Sequence, residues 1–304
     1  MKLYLAPMEA LTGYIFRNAY RDFFGDADRY FTPFIASKKL SSKEKNDVIP
    51  EHNVGMDVIP QILTNKAEEF CYIANRLKEY YGYDEVNLNL GCPSGTVVAK
   101  NRGSGFLRVL PELREFLDVI YTKCNTKISI KTRTGVDDSD SFGEIIELYN
   151  DYPLSELIIH PRCRKDGYSG SPDLDAFQIA VRNSKHSLCY NGDIKTVSDY
   201  NRIIQNFPSV EKIMCGRGLL ANPGLFGEIK GKAETDKETI RCFAKEICKG
   251  YCEIMSGDRN VLFKMKELWI YLAQNFESPE KLVKKIRKAE TLVEYEAVLN
   301  NYIY

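Results

Sequence analysis

Glu85-Val-Asn-Leu-Asn-Leu-Gly-Cys-Pro93 alternates apolar and polar side chains and then breaks at a Gly-Cys-Pro turn. Successive side chains of a strand point to opposite faces, so Val86, Leu88 and Leu90 share one face while Asn87 and Asn89 share the other. Similar short β-rich segments recur on both sides of it, at 3–7, 29–34, 58–63, 127–132, 156–160, 187–191 and 212–216, which makes eight strands in all. Most of the gaps carry apolar residues at helical spacing, such as Phe70, Ile73, Ala74 and Leu77, or Leu113, Phe116, Leu117 and Ile120. Strands that alternate with helices pair in parallel, because a parallel crossover needs a dozen or more residues. The expected fold is an α/β, TIM-type (β/α)8 barrel followed by a small helical domain. The alternative, an open doubly wound sheet, is weakened because no GxGxxG follows the first strand. Pro60 is the one discordant residue. It lies inside the third strand, where it removes a ladder donor and marks a bulge near the rim.

The chain has 304 residues, 44% hydrophobic and 28% charged, so a sizeable core is easily built. Its 42 basic and 42 acidic residues cancel, which leaves any nucleic-acid binding to a local basic face. Met1 leads straight into an apolar strand, and no stretch approaches about 20 uninterrupted apolar residues. No membrane association is expected, and no obligate protein partner is evident. Nine cysteines without CxxC spacing read as reduced thiols in the cytoplasm, with no metal site. From about residue 235 only helical stripes follow, among them Phe243, Ile247 and Tyr251, then Leu262, Met265, Leu268 and Leu272. Residues 1–234 therefore read as the barrel and 235–304 as a helical domain. Lys281-Leu-Val-Lys-Lys-Ile-Arg-Lys288 places five cations on one of its helices. The polar stretch 37–47 reads as a surface loop.

A barrel keeps its active site at the C-terminal ends of its strands, so the residues standing there are decisive. Five consecutive strands end in polar groups: Asn87 and Asn89, then Lys131 and Arg133, His160 to Arg162, Asn191-Gly-Asp193, and Gly216-Arg217-Gly218. Loops after strands seven and eight are a frequent phosphate site, with glycines admitting close backbone approach and Arg217 adding charge. A phosphate-bearing cofactor follows. Lys131 suits either a hydrogen bond to an electron-rich flavin ring or a Schiff base. Gln61 ends strand three within reach of a planar ring. Cys92, between Gly91 and Pro93, faces the barrel mouth; with an ordinary thiol pKa of about 8.5 it is mostly protonated at neutral pH and is able to donate a proton.

The motifs taken together resemble the tRNA-dihydrouridine synthases. They are Ala6-Pro-Met-Glu9 with Phe16-Arg17, Gln61, Asn89-Leu-Gly-Cys-Pro93, Lys131-Thr-Arg133, and His160-Pro-Arg-Cys-Arg164 with Gly167-Tyr-Ser-Gly170. Asn191-Gly-Asp193 and Cys215-Gly-Arg217 with Asn222-Pro-Gly224 complete the series. The resemblance implies an FMN barrel with a helical RNA-binding tail. By position, Pro7, Met8 and Glu9 would line the flavin, Gln61 and Lys131 would contact its ring, and His160 would sit beside flavin and base. Asn191, Gly192, Asp193, Gly216 and Arg217 would hold the ribityl phosphate. Cys92 would be the general acid, Asn89 would face the uracil, and Arg162 and Arg164 would guide the RNA. NADPH or NADH would supply electrons, and tRNA would be the partner. There are three departures. Ala10 and Gly13 stand where family members often have Gly and Asp, and the run Gly103-Ser-Gly-Phe-Leu107 includes a bulky Phe106.

Rival readings are an FMN barrel acting on a free pyrimidine or other small molecule, a Schiff-base lyase using Lys131, and a silent RNA-binding protein. If the tail serves RNA alone, its deletion should spare activity on a small substrate.

Overall fold

The computed structural model describes residues 1–303, and side chains through residue 301, so the last residue of the expected 235–304 span lies outside the described residues. Nine strand segments are present: β1 (Lys2–Leu5), β2 (Arg29–Phe31), β3 (Val58–Ile59), β4 (Gln61–Ile62), β5 (Glu85–Leu90), β6 (Lys127–Gly135), β7 (Leu157–Cys163), β8 (Leu188–Tyr190) and β9 (Lys212–Cys215). Every pairing is parallel, in the order β3-β2-β1-β9-β8-β7-β6-β5-β4. The two ends of that order, β3 and β4, flank Pro60. They are two halves of one stave, the first bonded to β2 and the second to β5. Nine segments therefore make the eight staves read from the sequence, and the barrel closes through the chain itself.

Pro60 sits at the point where that stave changes partner. Its carbonyl still accepts from Asn87 N at 2.8 Å, although the residue has no N–H to give. Gln61, the next residue, turns its N–H to Thr32 Oγ1 at 3.1 Å. β6 and β7 run three residues beyond their expected ends, to Gly135 and Cys163, with a register shift between Arg133 and Gly135. Arg133 and Arg162 thus belong to strands.

The barrel interior holds a small apolar cluster comprising Tyr4, Ala6, Phe31, Ile59, Ile158, Cys189 and Met214. Amphipathic helices cover the outside, and the sequence stripes on 67–81 and 110–123 are all buried. The stretch expected as a loop instead holds the helix Ser42–Val48, started by Ser41 and Glu44 in a reciprocal capping box. That Ser-x-x-Glu spacing was the available signal.

After β9 come short helices Arg217–Ala221 and Leu225–Ile229, then Lys237–Ile254, Asp258–Leu272, Pro279–Lys288 and Leu292–Ile303. The tail helices lie against the barrel's flank. Phe243 sets its ring edge-on to Phe16, Phe23 and Phe24, with centroids 5.2 to 5.9 Å apart. A Cβ at Gly250 would come within 2.8 Å of Ile15 Cγ2, so the bare glycine lets the two helices touch. Helix 258–272 packs on the short helix 217–221, and Asn275 Nδ2 donates to Ala221 O. One hydrophobic cluster runs continuously from Leu3 to Leu299. Among the described residues, no helix is long and apolar enough to cross a membrane.

Candidate active site

Strand ends converge on a cleft of about 610 Å3, open to solvent at the C-terminal rim. Pro7 and Met8 enter it from β1, Lys131 from β6, His160 from β7, Asn191, Gly192 and Asp193 from β8, and Gly216 and Arg217 from β9. Nine of the expected cofactor residues therefore line one space. Glu9 and Gln61 do not. Glu9 is exposed and ion-paired with Lys43 at 2.5 Å, whereas Gln61 is buried beneath the cleft.

Lys131 makes no hydrogen bond or ion pair among the described residues, although its ammonium stands at the cleft wall. Burial, then the neighbouring Arg133, pushes its pKa down to about 8. His160 Nδ1 lies 2.5 Å from the Asn191 carbonyl oxygen. A carbonyl only accepts, so Nδ1 carries the proton. Burial, with Lys131 and Arg133 nearby, holds the ring's pKa well below its ordinary value, so the imidazole is neutral. Its other nitrogen, Nε2, is then a bare acceptor, and it is buried without a partner among the described residues. One unpaired cation and one unpaired acceptor thus meet in the same cleft.

The β8–β9 side is built differently. Asp193 accepts from Arg162 Nη2 at 2.7 Å and from Arg217 Nη2 at 2.6 Å. Burial opposes its charge, but the two guanidiniums prevail and hold the carboxyl below the usual range. Gly216 begins helix 217–221, whose first N–H groups have no intrahelical acceptor. A Cβ at Gly216 would lie 3.2 Å from Met8 Sδ, and one at Gly192 would collide with the Tyr190 hydroxyl. Crowding demands the glycine at 192 and makes a tight contact at 216; neither has a positive φ.

Cys92 is half-buried beside Gly91. Burial raises its thiol pKa, against the lowering effects of the Ser94 N–H, Arg133 and Lys131, so the sulfur keeps its proton at neutral pH. Asn89 Oδ1 accepts from Gly91 N at 3.0 Å and Cys92 N at 2.9 Å, while its Nδ2 donates to Gln61 at 2.7 Å. Arg162, placed with the RNA by the sequence reading, is 1% exposed and spends its donors on Asp193, Ser169 O and Gly170 O. Arg164 is half-buried at the strand end.

The family model described as dihydrouridine synthase matches residues 4–301. The chain belongs to the dihydrouridine synthase family. Its enzyme class is accordingly that of an oxidoreductase. It is similar to tRNA-dihydrouridine synthase B of Shewanella oneidensis, at 23% identity over 99% of this chain and 95% of that protein. It is also similar to a probable tRNA-dihydrouridine synthase of Helicobacter pylori, 25% identical over 88% of this chain and 82% of that one. Among solved structures, morphinone reductase in complex with tetrahydroNAD aligns with a TM-score of 0.53 at 14% identity, covering 78% and 89% of the two chains. Histamine dehydrogenase from Rhizobium aligns at 0.56 and 11% identity, covering 88% of this chain and 49% of that one. These likenesses show the barrel fold.

The three departures from the family pattern have local explanations. Ala10 adopts φ 67°, a left-handed conformation that glycine takes without strain. Gly13 is the N-cap of helix 14–23 and has no side chain to cap it, so Asp47 supplies the carboxylate, accepting from Tyr14 N at 2.6 Å. Phe106 points away from the cleft, buried edge-on against Phe116 at 5.4 Å.

Among the lining residues with polar or charged side chains, three were given no role from sequence: Arg133, Tyr168 and Lys195. Arg133 is buried and holds the Gly91, Cys163 and Gly167 carbonyls together. Tyr168 is 51% exposed, yet its ring lies 4.4 Å under the Arg217 guanidinium, a cation–π contact at the cleft mouth. The inward parity of Arg133 on β6 was readable, and Tyr168 stood in the Gly167-Tyr-Ser-Gly170 motif without an assigned role; nothing in the sequence marks Lys195.

Proposed function

We propose that this dihydrouridine synthase binds FMN in the cleft, draws electrons from NADPH or NADH, and reduces the C5–C6 bond of particular uridines in tRNA. The observation that carries the reading is the pairing of an unpaired Lys131 ammonium with the orphaned His160 Nε2 in one cleft, whose wall includes Gly91, the residue before the protonated Cys92 thiol. Those two groups suit the polar edge of an isoalloxazine. The N–H groups after Gly216, with Arg217 and Lys195, suit the phosphate. Bound FMN would supply the hydride-transfer chemistry that no side chain has.

The chain's own residues do the rest. Lys131 holds the electron-rich edge of the ring through its positive charge. His160, locked as a neutral acceptor by Asn191 O, orients an N–H of ring or base. Cys92 delivers its proton to C5 as general acid, and its raised pKa keeps that proton available at neutral pH. The base must leave its stack to reach the cleft, at a cost of a few kcal/mol. Arg164 and the cations of helix 279–288, whose Leu282 and Ile286 face inward, offset that cost by contacting the RNA backbone. Residues 1–234 carry the chemistry and the helices after 235 carry RNA recognition.

The purified protein should be yellow. In Cys92→Ala, flavin reduction by NADPH should survive while reoxidation by unmodified tRNA slows by about 100-fold, the lower bound for a lost general acid. Equal reoxidation rates in parent and variant remove Cys92 from the reaction.

A further inference from the structure

Beneath the cleft, four buried side chains form an unbroken chain across β6, β5 and β4. Asn87 Nδ2 donates to Ser129 Oγ at 2.9 Å, Gln61 Nε2 to Asn87 Oδ1 at 2.8 Å, and Asn89 Nδ2 to Gln61 Oε1 at 2.7 Å. The chain ends on the reactive loop, where Asn89 Oδ1 takes the Gly91 and Cys92 N–H groups. Backbone N–H groups only donate, so the last link fixes which end of Asn89 faces the loop. Each earlier amide is then fixed in turn, down to Ser129. The other side of the Cys92 peptide is also held, since its carbonyl accepts from Ser104 N at 3.2 Å and Ser104 Oγ at 2.9 Å.

We propose that Asn89 is a positioning residue for Cys92, held in orientation by a relay through Gln61, Asn87 and Ser129, so that the thiol is placed before any substrate arrives. The proposal rests on Cys92 being the proton donor. A proton transfer tolerates little misplacement of its donor, and the relay removes the loop's freedom to swing. It also explains why Gln61 and Asn89 are spent within the protein. The relay has a second self-consistent state. An aspartate at 89 still accepts from Gly91 and Cys92 N–H but has nothing to give Gln61. Gln61 and Asn87 then reverse, and the Ser129 hydroxyl donates to Asn87 Oδ1. Asn89→Asp is therefore tolerated, whereas Asn89→Ala releases the loop.

The test is the rate at which iodoacetamide alkylates Cys92 in the full-length protein as purified, without RNA, read by mass spectrometry of the Cys92 peptide. Asn89→Ala should speed it about tenfold, since two backbone hydrogen bonds are lost and the thiol gains water. Asn89→Asp should alkylate no faster than the parent, because the loop stays held and the added negative charge disfavours the thiolate, and tRNA-driven reoxidation should slow in Ala. A residue that only touched the uracil would leave the RNA-free alkylation rate unchanged. Equal rates in Ala and parent, or an Asp variant alkylated faster than the parent, overturn the proposal. If the Ala variant does not fold, the Asp variant decides alone. Because alkylation needs no substrate, a protein inert toward tRNA could still pass, which separates this test from that of the proposed function.

Discussion

Arg133 and His160 are register partners across β6 and β7, so a fixed guanidinium shares a face with the imidazole one stave away. The pairing reinforces what burial begins and keeps His160 uncharged through the neutral range.

That neutrality has a cost in acid. The unfolded imidazole takes up a proton below about pH 6.5, while the folded one resists until much lower pH. The unfolded state therefore binds more protons in that window, and stability falls as pH drops. Melting temperatures of the full chain should decline between pH 7 and pH 5, and His160→Gln should flatten the decline. An identical slope in the variant would show that His160 is not buried neutral.

Lys131 titrates in the opposite part of the scale. Its pKa of about 8 is depressed from 10.5, so its charge fades as pH rises through 8. FMN affinity, measured by fluorescence quenching, should weaken between pH 7 and pH 9. In Lys131→Met it should be weak at both. A parent affinity that is flat across this window would mean the ammonium does not hold the ring.

Ala10 offers a stabilising substitution. Its left-handed backbone costs an L-residue about 1 kcal/mol, part of which Ala10→Gly returns as unfolded-chain entropy. The urea midpoint should rise by a small, measurable amount. The contact from Lys264 Nζ to Ala10 O, at 3.2 Å, is to backbone and survives the change.

Phe243 couples tail and barrel. Phe243→Ala should destabilise the whole chain by about 3–5 kcal/mol, in a single unfolding transition that also releases flavin. Two separate transitions would show that the tail folds by itself. Deleting the tail is consequently a poor way to distinguish RNA from small-molecule substrates, contrary to what the sequence suggested, because tail residues from Ile240 onward share one hydrophobic cluster with the barrel's outer helices.

Much of this was legible in the chain because periodicity reports burial directly. The alternation at 85–90 placed Asn87 and Asn89 inward, and the polar strand ends brought Lys131, His160 and Arg217 to one cleft. What was not legible depends on distance across the fold. Arg162 and Arg164 look alike in sequence, yet only Asp193, 31 residues on, turns the first inward as a buried ion pair. Glu9 reads as a site residue until Lys43 draws it outward. The helical stripes of the tail were visible, but the surface they would cover was not, since a stripe does not name its partner.

Pro60 has a final consequence. A stave that hands its hydrogen bonds from one neighbour to the other across a single residue leaves no terminal strand in the sheet. There is then no row of unsatisfied amides along which a second molecule could add itself, so the barrel is protected from edge-to-edge aggregation without the charged or kinked borders that open sheets need.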